Sequence, residues 1–148
     1  MLRNTTKISK YFYNYIRNNQ GFLGTMSVQS LGQVADVDID PAGVFKYILI
    51  KVYATEVDGV EPEKMIVRGY KECPFHADIY DKVTPDIQKL GLDTECVGGG
   101  RINHDPDAKN IKVYGYSQGY GKADHSLSVV VLKKTYPDYD ISWTDDGY

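Results

Sequence analysis

Cysteine and tryptophan are scarce in this 148-residue chain, with two of the first and one of the second. Two cysteines cannot staple a disulfide scaffold, so a reduced, intracellular chain held by an ordinary apolar core is expected. Long apolar runs are missing. No stretch approaches the ~18 residues a membrane helix needs, and the start lacks the 7–15-residue apolar run of a secretory signal. A basic face is missing too, since the net charge is −3, so no nucleic-acid partner is expected. Acid is absent from the first 35 residues. Four bases (Arg3, Lys7, Lys10, Arg17) stand there before the first acid, Asp36. The remainder carries 13 bases and 20 acids, a local charge of −7.

That asymmetry divides the chain into a basic, Asn/Thr/Ser-rich extension (1–35) and one acidic domain (36–148). The extension is expected to be a disordered tail on a cytoplasmic protein. An organelle-targeting (mitochondrial) segment is the minority reading. The domain has the apolar content for one core. Val44–Ala54 is apolar on both alternating faces, as a central strand requires. Met65–Tyr70 is a second strand, joined through a loop holding Asp58, Gly59 and Pro62. His76–Leu90 has helical spacing, with Pro85 either kinking it or opening a new turn, and Gly91 ends it. Thr94–Val97 and Ile111–Ser117 read as strands around a polar turn at 104–110. Ala123, Leu127, Val130 and Val131 mark a second helix, and Asp140–Thr144 a last strand. The order ββαββαβ predicts a single α/β domain, a mixed β-sheet flanked by two helices.

Several residues carry possible chemistry. Lys46 lies on an apolar strand face with Ile48, Ile50 and Val52. It either snorkels to water or binds an anion. Arg68, between Ile66 and Tyr70, forms a structural ion pair or joins Lys46 in a phosphate site. His76 opens the first helix, where free amides attract anions and the local field keeps an imidazole neutral. Such a histidine can act as base or nucleophile, or merely pack. Ser117, Gln118 and Gly119 sit in a glycine-rich strand-to-helix turn whose amides can wrap a phosphate, although no Walker loop is present. Gly98-Gly99-Gly100-Arg101 is either a second phosphate cradle or a glycine bulge in a strand. Cys96 and Arg101 are one residue too close for a cysteine phosphatase loop. Cys73 and His76 have metal spacing but lack a matching second pair, so no metal is expected. His104 and His125 read most simply as surface residues.

The segments GVFKYILIKV (43–52), IVRGY (66–70), HADIYDKV (76–83), GGGRINH (98–104), KVYGYSQGYGKADH (112–125), YPDY (136–139) and DGY (146–148) go further. In this order they resemble the 14-kDa phosphohistidine phosphatase family, which includes the insect janus proteins. The resemblance covers residues 36–148. It implies a compact monomer that hydrolyses phosphohistidine on histidine-phosphorylated proteins, without cofactor or metal. It implies His76 as the catalytic residue, general base or nucleophile. It further implies phosphate binding by Lys46, by the helix-start amide of Ala77 and by the amides of Ser117, Gln118 and Gly119, with Arg68 in support. Two positions depart from the family pattern, Gly119 for Ala and Phe75 for Tyr. The same groups would also suit a phosphohistidine-binding module without turnover, in a janus-type developmental role.

Overall fold

A computed structural model describes residues 29–147. Helix α1 is described over residues 29–33. Then follow β1 (Val37–Ile39), β2 (Gly43–Tyr53), β3 (Glu63–Gly69), α2 (His76–Lys89), β4 (Asp93–Asp105), β5 (Asn110–Tyr114), α3 (His125–Thr135) and β6 (Asp140–Trp143). The six strands form one sheet in the order β1-β3-β2-β4-β5-β6. β1 runs parallel to β3 and β6 parallel to β5, while the four central strands are antiparallel. This is the expected mixed α/β sheet, with the short β1 added before the two strands read from the sequence.

β2 lies at the centre and buries both faces. Ile48, Ile50 and Val52 pack on one side with Ile66 of β3 and with Ile79, Val83 and Ile87 of α2. Phe45, Tyr47 and Leu49 pack on the other with Ile102, Ile111 and Val113, and with Val129 and Leu132 of α3. Alternation thus directs successive side chains into two separate cores. Truncating one fully buried residue such as Ile48 to Ala would cost ~2–5 kcal/mol. Leu31 and Val34 are buried in the α2-side core, so packing begins ahead of Asp36. The tail and targeting readings cover residues 1–35, of which 1–28 lie outside the described residues.

Helix α2 is one continuous helix with Pro85 inside it. Gly91, at φ +76°, receives the chain after it, and its N–H bonds the Gln88 carbonyl. Gly98–Gly100 lies within β4, which is far longer than Thr94–Val97. The register steps from Leu49↔Gly98 to Ile50↔Cys96, leaving Val97 as the extra residue of a bulge. The bulge reading of this segment therefore holds. In α3, Val130 is exposed, and Val129, Val131 and Leu132 are buried instead. Among the described residues, no helix is long and apolar enough to cross a membrane.

Two histidines require correction. His104 and His125, read as surface residues, are 3% and 2% exposed. Burial is tolerated because each finds a backbone carbonyl. His104 Nδ1 bonds the Asp40 carbonyl at 2.9 Å, between the rings of Tyr136 and Tyr139. His125 Nε2–H donates to the Gly115 carbonyl (2.8 Å), which leaves its Nδ1 to accept from the Tyr47 hydroxyl at 2.6 Å.

Candidate active site

α2 begins without a capping side chain at Phe75. The Asp78 carboxylate instead accepts from the Phe75 N–H at 2.9 Å, tying the chain into the first turn. His76 and Ala77 therefore occupy the first two helical positions, whose amides have no acceptor within a helix. The second component is the turn after β5. Ser117 and Gly121 exchange backbone hydrogen bonds of 3.1 and 2.8 Å, and Ser117 Oγ accepts from the Tyr120 N–H at 3.1 Å. Gly121, at φ +83°, closes the turn. The amides of Gln118 and Gly119 lie at its tip. The third component is Lys46 on β2.

These pieces meet. Lys46, Phe75, His76, Ala77, Ser117, Gln118, Gly119 and Tyr120 line one open cleft of about 630 Å³. Six of the seven residues singled out as a phosphate site from the sequence share it. Arg68 is not brought to it. Its guanidinium is buried and donates to the carbonyls of Val67 (2.9 Å) and Ala35 (2.8 Å). It lines a separate cavity with Asp38, Tyr70 and Lys82.

His76 is 7% exposed, and its Nε2–H donates to the Gly100 carbonyl at 2.9 Å. That bond selects the tautomer and leaves Nδ1 as the nitrogen with a free lone pair. Burial holds the imidazole below its ordinary pKa against the raising effect of the Gly100 bond, and the charges of Lys46 and Arg101 push the same way as burial. The ring is therefore neutral at pH 7 and able to accept a proton. Lys46 Nζ bonds the Pro74 carbonyl at 2.6 Å and lies 5.4 Å from the centroid of the Phe75 ring.

Two residues of the glycine-rich segment take places that the sequence reading does not give them. Gly99 lets the histidine ring lie against β4, since a Cβ there would sit 2.7 Å from His76 Cδ2 and 2.9 Å from the Tyr47 carbonyl. Gly99 and Gly100 thus form a seat for His76, while Gly98 lies against the backbone of Lys122 and Ala123. Only the bulge alternative hinted at such close approach. Arg101 stands directly across from Lys46 in the β2–β4 register. That pairing becomes readable only once β4 is known to run through the glycines.

The thiols stand apart from this chemistry. Burial pushes Cys96 up to about 11, and its Sγ is directed at the Gly98 carbonyl. A thiol so shifted is not a thiolate at neutral pH. Among the described residues, no three His, Cys, Asp or Glu side chains gather as metal ligands.

A model of the Janus/Ocnus family matches residues 31–140. The chain belongs to the Janus/Ocnus family. It is 57% identical over 120 residues to the 14 kDa phosphohistidine phosphatase of Sus scrofa, covering 80% of this chain and 95% of that protein. It is 53% identical over 125 residues to the Homo sapiens protein of the same name, covering 83% of this chain and all of that one. The sex-regulated protein janus-A of Drosophila pseudoobscura pseudoobscura is 52% identical over 139 residues, covering 89% and 93%. The family resemblance read from the motifs is thereby established. The matched residues include all three parts of the cleft.

Proposed function

We propose that this protein is a phosphohistidine phosphatase that hydrolyses the P–N bond of phosphohistidine on other proteins, with His76 as general base. The observation that carries the reading is the convergence on one cleft of a neutral, tautomer-fixed histidine, a lysine and two sets of backbone amides. The names of the porcine and human relatives point to the same substrate.

The geometry suits the chemistry. Phosphoryl transfer passes through a loose transition state with charge on three equatorial oxygens, so catalysis is chiefly positioning and electrostatic stabilisation. Lys46, the Ala77 amide at the positive end of α2 and the amides of Gln118 and Gly119 at the tip of the turn hold those oxygens, whereas the Ser117 N–H is taken by the Gly121 carbonyl. His76 Nδ1 takes a proton from water as the water oxygen bonds to phosphorus. The P–N bond breaks, and its electron pair returns to the imidazole, which carries a proton from solvent on its other ring nitrogen and so leaves neutral, while His76 afterwards gives its proton back to solvent. The products are histidine and inorganic phosphate. A free lone pair on Nδ1 also suits nucleophilic attack. Rapid acid-free quenching separates the two routes, because the nucleophilic route labels His76 with phosphate and the general-base route leaves it unlabelled.

The test of function is turnover. A peptide bearing phosphohistidine is mixed in excess with the protein, and free phosphate is measured. Release of many equivalents is expected. Binding without release beyond one equivalent would make the protein a phosphohistidine-binding module.

A further inference from the structure

Phe75 breaks a local rule. The position before a helix favours Ser, Thr, Asp or Asn, whose side chains cap the first amides. Phe75 has no capping atom, and its ring is 67% exposed, the largest exposure among the described large hydrophobic residues. It gains little from the core. It does line the cleft beside His76, with the Lys46 ammonium 5.4 Å from its centroid. A local rule broken without stabilising return is the mark of a functional position.

Apart from Tyr120, whose ring already meets Tyr80 edge-on, the remaining cleft groups recognise only half of the substrate. A lysine and backbone amides hold a phosphoryl group whichever amine carries it. They do not distinguish phosphohistidine from phospholysine or from phosphoramidate, the simplest P–N compound. Discrimination requires a surface that fits a flat heteroaromatic ring. We infer that Phe75 is this surface, stacking on the imidazole of the substrate phosphohistidine and setting the preference for a histidine leaving group. The inference rests on the phosphatase reading of the same cleft.

The geometry supports it. Aromatic pairs are favourable at centroid separations of ~4.5–7 Å. Lys46 Nζ lies 5.4 Å from the Phe75 centroid, so phosphoryl oxygens held by Lys46 bring the imidazole, one bond from the phosphorus, within reach of the Phe75 ring. A substrate ring protonated on its free nitrogen is cationic when bound, and the face of a phenyl ring attracts a cation. The contact therefore holds the phosphohistidine ring and raises kcat/KM for it over a P–N substrate that lacks one.

The experiment compares kcat/KM for a phosphohistidine peptide and for phosphoramidate, in the wild type, Phe75→Ala and Phe75→Tyr. Circular dichroism confirms that each variant is folded. The ratio of the two values is expected to fall about 3- to 10-fold in Phe75→Ala and to recover in Phe75→Tyr. If the wild type turns over both substrates and Phe75→Ala leaves the ratio unchanged, the inference is overturned while the phosphatase reading stands. A wild type inactive on both overturns the two together.

Discussion

His76 Nε2 is 2.9 Å from the carbonyl oxygen of Gly100, and this bond joins the start of α2 to the middle of β4. It places the free lone pair on Nδ1 and holds the ring in a buried site where protonation is unfavourable. The sign follows directly. The folded-state pKa lies below the ordinary 6.5, so the base stays neutral until the pH drops through that lowered value. The acid limb of kcat/KM is expected below pH 6.5. Lys46→Met, which removes one of the depressing charges, should move the limb upward. A limb above pH 7 in the wild type would contradict the assignment. Stability follows the same linkage. His76 and His125 both have lowered values, so their contribution is complete above pH 6.5 and is lost as the pH falls.

The glycines of β4 and of the 117–121 turn have opposite requirements. A methyl at Gly99 meets the His76 ring and the Tyr47 carbonyl, whereas one at Gly119 meets nothing within 4 Å. Gly99→Ala should displace the imidazole and lower kcat/KM by ~100-fold, since misplacement of about 1 Å carries that cost. Gly119→Ala should retain activity within about twofold, because its contribution is an amide that alanine keeps. Equal effects of the two substitutions would refute the seat described for His76.

Lys46 supplies the side-chain cation of the cleft. A charge-assisted hydrogen bond contributes ~1.5–3 kcal/mol, so Lys46→Ala should lower kcat/KM by about 10- to 150-fold. The far-ultraviolet spectrum should not change, since the Nζ bonds only the Pro74 carbonyl near the surface. An unchanged kcat/KM would remove Lys46 from the site.

Much of this arrangement was readable in the residues. β2 was recognisable because apolar side chains occupy both alternating faces, which happens only at the centre of a covered sheet. His76 at the helix start and the 117–121 turn were recognisable from local punctuation by Pro, Gly and helical spacing. Other features depended on information that local pattern does not carry. β1 is three residues long and is held by parallel pairing to β3, too short for alternation to register. β4 was truncated because Gly98, Gly99 and Gly100 have no side chains to alternate. Periodicity correctly placed Lys46 and Arg68 on one side of the sheet but says nothing of register. The register sets Lys46 opposite Arg101 and Arg68 opposite Ile48, so Arg68 turns to the Ala35 carbonyl. His104 and His125 looked exposed because polarity was read without the distant carbonyls that satisfy them.

The chemistry assigned to His76 requires neither a thiolate nor a bound metal. Cys96→Ser should keep near-normal activity, because the half-buried thiol is protonated at neutral pH. Activity should also survive incubation with EDTA. Loss on chelation and recovery with zinc would show that hydrolysis runs through a metal.

The most direct test of the account compares wild type with His76→Ala in multiple-turnover release of phosphate from a phosphohistidine protein. Circular dichroism and a thermal melt verify that both are folded. The account predicts sustained release by the wild type and, in His76→Ala, a rate at the uncatalysed background. A folded His76→Ala protein that releases phosphate at near wild-type rate would contradict it.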